Sequence, residues 1–256
     1  IDPDAGIIEL LSGGGVPLAS LVVFALHLDT VGGTDYSADY PRYLSEGLQA
    51  AFGKEYISFF GAGTCGDINH IDVKVKGRRT AREIGSLLAE TVRGGIPGLS
   101  AVTEPSLAVL RATVDVPLQR YSGREIDRAR DEMKLVGSRK LSFLAQVKAY
   151  KIMALELREA STLALEVQVF RISSELAIVT LPGEVFVELG LAIKRGSPFR
   201  NTLVIELAND APGYIPTRKA FTEGSYETVN SRVQSGGGEA MVKAALRLLK
   251  ELRQGI

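Results

Sequence analysis

The chain has one cysteine and two histidines among its 256 residues. A single cysteine, Cys65, excludes an intramolecular disulfide framework and any multi-cysteine zinc site. It leaves the compartment open, because many secreted proteins also lack disulfides. A surplus of one charge is missing too. Thirty basic residues cancel thirty acidic ones, which argues against a nucleic-acid partner, since coating a polyanion takes a basic face. The longest apolar stretch, Val16 to Leu28, is interrupted by Pro17 and Ser20 and is too short to cross a bilayer, so no transmembrane segment is expected. There is no signal peptide and no initiating methionine. The opening Ile1-Asp2-Pro3-Asp4 reads as an N-terminally incomplete chain, so localisation stays unknown.

What is present is a globular composition. An apolar fraction of 45% supports a sizeable core. Apolar runs with strand character span residues 6–11, 17–27, 56–61, 107–116, 162–172, 176–181 and 202–207. Gly13-Gly14-Gly15 reads as the hairpin turn between the first two. Helical spacing appears over 37–52, 80–92, 141–157 and 239–252. Ser122-Gly123-Arg124-Glu125 has the form of a capping box opening a charged helix that runs to Met133. The expected fold is α/β (α+β): a mixed β-sheet flanked by helices, as one domain over 1–256, with a helical excursion at about 120–159.

Four apolar runs end in residues that can do chemistry. One leads to His27, and one leads through Cys65 to Asp67, Asn69 and His70. A third leads to Glu184, at the start of a helix marked by Phe186, Leu189 and Ile193. The last leads to Asn209, Asp210 and Tyr214. Ligands of open α/β sheets bind beyond the carboxyl ends of strands. Imidazole, carboxylate and phenolate converging there would suit zinc with an open position for water. Strand ends are polar in any case, so the spacing alone leaves both readings standing. His70 reads as a loop histidine and Cys65 as a small buried residue, with no paired base identifiable. Ser235 to Gly238 reads as a flexible turn, and Tyr40 and Tyr43 as residues packing on their helix.

The segments "IDPDAGIIEL", "VVFALHLDTV", "YSADYPRYL", "GAGTCGDINH", "LPGEVFVELG" and "ANDAPGYIPTRKAFTEGSYET" occur in that order. Together they resemble the neutral/alkaline (non-lysosomal) ceramidase family, from Ile1 to about Leu252. The resemblance implies a zinc amidase that splits an N-acyl bond by attack of metal-bound water, on a mixed sheet flanked by helices. By matching motif, His27, Glu184 and Tyr214 correspond to metal ligands. Tyr226 corresponds to the tyrosine that binds the substrate amide or product carboxylate, and the Tyr214–Tyr226 interval matches the family's spacing. Asp67 is expected to orient the loop or a ligand. Asn69 stands where many ceramidases have serine; it cannot be a nucleophile, but its amide can donate and accept hydrogen bonds, and with Tyr226 it is expected to orient the substrate or donate to the developing oxyanion.

The family's first zinc histidine lies upstream of Ile1, so an N-terminal fragment of the same protein is an expected partner, beside a small N-acyl lipid. Two alternatives remain open. One is a metal-dependent hydrolase of another ester, amide or sugar-linked substrate; the other is a non-catalytic lipid- or ligand-binding relative. Oligomeric state is not legible.

Overall fold

A computed structural model describes residues 1–72 and 74–255. Its first half is built on a three-stranded sheet. Strands β1 (Gly6–Leu11) and β2 (Pro17–Phe24) form an antiparallel hairpin, and β3 (Ile57–Ala62) lies parallel to β2. The turn closes where Gly15, at φ +79°, donates its N–H to the Ser12 carbonyl. Helices α1 (Asp39–Phe52) and α2 (Ala81–Gly95) cover this sheet. Their buried stripes, Tyr40, Leu44 and Leu48 on one and Ile84, Leu88 and Val92 on the other, follow the helical period and pack with Val22 and Tyr56 into one core.

The second half centres on a four-stranded sheet of order β4-β5-β6-β8, formed by β4 (Ala108–Pro117), β5 (Thr162–Arg171), β6 (Leu176–Thr180) and β8 (Asn201–Ile205). Its first three strands run antiparallel, while β6 and β8 are parallel. On β5, Leu163, Leu165, Val167 and Val169 are buried at every second position. They pack against α5 (Val187–Gly196) and α8 (Gly237–Gln254), the latter through Met241, Leu248 and Leu249. Each such side chain contributes roughly 1.5–3 kcal/mol by leaving water.

Between β4 and β5 stand α3 (Gly123–Met133) and α4 (Phe143–Glu156), joined through Ala129, Ala149 and Ile152. Both helices fall within residues 120–159, and Ser122 and Glu125 form the expected capping box. A two-residue parallel pair, β7 (Glu184–Val185) and β9 (Tyr214–Ile215), and the short helices α6 (Arg218–Glu223) and α7 (Tyr226–Asn230) complete the chain. Among the described residues, no helix is long and apolar enough to cross a membrane.

The expected mixed sheet is thus realised as an α+β arrangement of two main sheets. They meet where the Glu206 N–H, just past β8, donates to the Ala62 carbonyl at the end of β3 at 2.8 Å. The carboxyl ends of β3 and β8 therefore open onto one edge, and β2 and β6, parallel to them, share it. Two local expectations are corrected. The second strand ends at Phe24 rather than His27, because after the Gly63 N–H binds the Phe24 carbonyl the chain leaves the sheet. Glu184 lies in a strand rather than at a helix start. Its N–H binds the Gly213 carbonyl, that of Phe186 binds Ile215, and the helix begins only at Val187.

Candidate functional site

His27 sits three residues past β2 in a loop that is tied down from several sides. Its own N–H donates to the Ile68 carbonyl at 3.3 Å. The hydroxyl of Tyr40, a fully buried residue, donates to the neighbouring Leu26 carbonyl at 2.7 Å. Just beyond, the Asp39 carboxylate accepts the N–H groups of Thr30 and Val31, each at 2.9 Å. Tyr40 thus does more than pack on its helix: it fixes the approach to His27.

Glu184 is presented differently. It follows Gly183, whose φ of +82° favours glycine, and a Cβ there would stand 2.7 Å from the Gly213 carbonyl oxygen. The β7–β9 register places Glu184 beside Tyr214, so the carboxylate and the phenol leave neighbouring strands side by side. The connection from β8 to β9 carries strain. Leu207 and Asn209 both adopt left-handed conformations, at φ 52° and 73°, costing on the order of 1–3 kcal/mol each. Bonds from Leu207 N–H to the Gly183 carbonyl and from Ala208 N–H to the Leu181 carbonyl hold that shape.

These frames bring four of the expected residues together. His27 Nε2 lies 3.9 Å from a Glu184 carboxylate oxygen. The His27 and Tyr214 rings meet edge-on with centroids 6.2 Å apart, and Tyr214 meets Tyr226 in the same manner at 5.7 Å. The Tyr226 ring also stacks on Phe143 of the helical excursion at 5.8 Å, and its hydroxyl oxygen accepts from Asn230 Nδ2 at 3.2 Å. Burial first, and then the Glu184 carboxylate beside it, push the Tyr214 phenol well above its ordinary pKa.

The other two expected residues lie beside this group with their side chains engaged elsewhere. Asp67 accepts the Val187 N–H at 2.7 Å, at the N-terminus of α5. Desolvation raises its pKa, and that hydrogen bond opposes the rise. The Asn69 side-chain oxygen accepts the Ile71 N–H at 3.1 Å, closing a local turn. Asn69 lines a cavity of about 790 Å³ that Phe24, Leu26, Ile84, Leu87 and Leu88 make largely apolar. His70 is a loop histidine as expected, with Nδ1 2.8 Å from the Asp29 carboxylate.

The donor chemistry of the central group fits a zinc ion. At 3.9 Å the His27 nitrogen and Glu184 oxygen are too far apart for a hydrogen bond. Two such donors around a tetrahedral zinc stand ~3.4 Å apart, so a small inward movement would let both reach one ion. Tyr214 adds a third donor, its phenol oxygen.

No protein-family model and no curated protein matches the sequence. Solved structures do. The crystal structure of neutral ceramidase from Pseudomonas aeruginosa superposes with a TM-score of 0.73 at 16% identity, over 100% of this chain and 47% of that one. This chain has the ceramidase fold. A second structure, a ceramidase complexed with C2, matches with a TM-score of 0.70 at 14% identity, over 100% of this chain and 49% of the other. The chain therefore spans about half the length of the ceramidases it matches.

Within this ceramidase fold, Cys65 is the small buried residue expected, and beneath His27 it meets Glu206, which the sequence motifs did not single out. The Cys65 thiol donates to a Glu206 carboxylate oxygen at 3.0 Å and lies 3.9 Å from His27 Nδ1. The other Glu206 oxygen accepts the Val185 N–H at 2.6 Å. Burial pushes the Glu206 carboxyl up to about 8, against the lowering effect of those hydrogen bonds. It also pushes the Cys65 thiol far up, with Glu206 adding to the rise. The signal for Glu206 was a lone charge inside the apolar run Leu203-Val204-Ile205-Glu206-Leu207.

Proposed function

We propose that this chain, as one catalytic unit over its whole length, belongs to a zinc-dependent hydrolase that cleaves an N-acyl amide bond, as ceramidases do. The observation that carries this reading is the meeting of His27, Glu184, Tyr214 and Tyr226 at one edge of a ceramidase fold. His27, Glu184 and Tyr214 would hold the metal. Bound there, zinc would polarise the scissile carbonyl and lower the pKa of a coordinated water from ~15.7 towards ~7.

The remaining work falls to the chain's own side chains. Tyr226 accepts from Asn230, so its hydroxyl proton stays free to donate to the acyl oxygen. A preorganised donor of this kind contributes about 2.7–4 kcal/mol to the transition state. Asn69 spends its oxygen on Ile71 and keeps its amide NH₂ for the substrate. The apolar cavity that it lines suits an acyl chain, which favours an N-acyl lipid as substrate. Asp67 binds the start of α5 and so steadies the segment that follows Glu184.

The test is hydrolysis of N-acyl lipids and simpler N-acyl amines by the longest natural polypeptide after zinc repletion. Turnover that falls at least about a hundredfold in Tyr226→Phe, consistent with a lost oxyanion donor, supports the reading. Tight N-acyl lipid binding without turnover would replace it with a non-catalytic binding role. Turnover confined to esters or glycosides would keep the hydrolase and discard the amide.

A further inference from the structure

His27 faces two donor sets, one through each ring nitrogen. Nε2 looks out toward Glu184, while Nδ1 looks inward to Cys65 and Glu206. One ligand atom from each of His27, Cys65 and Glu206 lies within 4.8 Å of the other two. We propose that this inner trio is a second metal site, taking a single thiophilic divalent cation such as cadmium, cobalt or zinc. It rests on the inner cluster and is independent of the hydrolase reading, although the two sites share His27.

Geometry and charge both carry it. Sulfur, nitrogen and oxygen donors around a tetrahedral zinc stand ~3.3–3.6 Å apart. The observed 3.0 Å from Cys65 to Glu206 and 3.9 Å from Cys65 to His27 bracket that range. Closing on an ion takes shifts of about half an ångström in those two pairs, and the third pair, His27 to Glu206, starts within 4.8 Å. Glu206 is only 2% exposed, and among the described residues no lysine or arginine pairs with it. One thiolate, one carboxylate and one neutral imidazole cancel a divalent charge, which is the condition for burying an ion cheaply. The Val185 N–H on the far carboxylate oxygen would hold Glu206 in its ligating orientation.

The shared histidine imposes a constraint. A neutral imidazole has one lone-pair nitrogen. A cation on Nδ1 leaves Nε2 as an N–H facing Glu184, so the two sites compete for His27.

Cadmium titration of the protein, followed by the thiolate-to-metal absorption band, tests the proposal. The chain has one cysteine, so any such band reports Cys65. The expected result is a band that saturates at one cadmium per chain, is lost in Cys65→Ser, and survives in Tyr214→Phe with affinity within about twofold. Glu206→Gln should weaken cadmium binding by about tenfold or more, which gives a second reading if the serine variant folds poorly. Cadmium binding by the wild type with no thiolate band would overturn the inner site, as would wild-type affinity in Glu206→Gln. An absent band with intact N-acyl hydrolysis would end this proposal alone; a band without hydrolysis would end the hydrolase reading alone.

Discussion

Replacing Gly66 with alanine loads the backbone that carries Glu184. The new Cβ would stand 2.4 Å from the Glu184 carbonyl oxygen and 2.7 Å from its carbonyl carbon, where real Cβ contacts stay above 3.0 Å. The φ of Gly66 is not positive, so the damage comes from collision and not from an unfavourable backbone conformation. The obstacle is backbone, so something must move by at least about 0.6 Å. That backbone is held in place by the Gly66 N–H on the Val185 carbonyl at 2.9 Å, by Glu206 on the Val185 N–H and by Gly213 on the Glu184 N–H. Overpacking of this kind costs about 1–3 kcal/mol. A shift of this size at a reacting centre lowers turnover by up to about a hundredfold. The assays are urea unfolding, zinc affinity by chelator competition, and kcat. Gly94→Ala on α2 is the control, because nothing lies within 4 Å of its Cβ position; there alanine should stabilise by up to about 1 kcal/mol. A Gly66→Ala protein within about 0.5 kcal/mol of wild type, with unchanged zinc affinity, would refute the reasoning.

Tyr40→Phe removes the hydroxyl from the Leu26 carbonyl and leaves the ring packed on Phe60. It should cost about 1–2 kcal/mol in urea unfolding and weaken zinc binding about tenfold, as loss of a supporting contact does. Lys151 is buried with Gln119 and Tyr121 as its neighbours, and burial, reinforced by Lys148, pulls its pKa down to about 8. Because the folded value lies below the ordinary 10.5, the penalty is complete below pH 8, and stability recovers as pH rises from about 8 to about 10.5. Lys151→Met should remove that slope and raise stability at pH 7 by roughly 2 kcal/mol after the lost Gln119 bond is counted. Equal pH slopes in the two proteins would contradict the assignment. Gly183→Ala, forced into a left-handed φ against the Gly213 carbonyl, should destabilise by at least about 1 kcal/mol and lower zinc affinity, both read in the assays used for Gly66.

The long elements were legible because each repeats one simple rule over many residues. The two-residue alternation of β5 and the buried stripe of α1 both appear in the apolar pattern. Ser122 and Glu125 announced α3 by their capping chemistry. The short β7–β9 pair was not legible, because two residues carry no period; it forms only where Gly183 lets the chain turn against Gly213. The end of β2 was overrun because Ala25 and Leu26 remain partly or fully buried after leaving the sheet. At the candidate site, His27, Glu184, Tyr214 and Tyr226 were named by motif resemblance, and spacing alone gave no convergence. Cys65 and Glu206 lie 141 positions apart, and only the junction of the two sheets brings them together. Asn69 looked free to serve a substrate, yet its oxygen is already used by the turn to Ile71.

The central claim is that His27, Glu184 and Tyr214 hold a zinc that N-acyl hydrolysis needs. Zinc content and hydrolysis measured together, on the longest natural polypeptide and its His27→Ala and Glu184→Gln variants, test it most directly. The expected result is one zinc per chain in the wild type, loss of metal and turnover together in His27→Ala, and loss of turnover in Glu184→Gln. A His27→Ala protein that keeps its zinc and hydrolyses at the wild-type rate would contradict it.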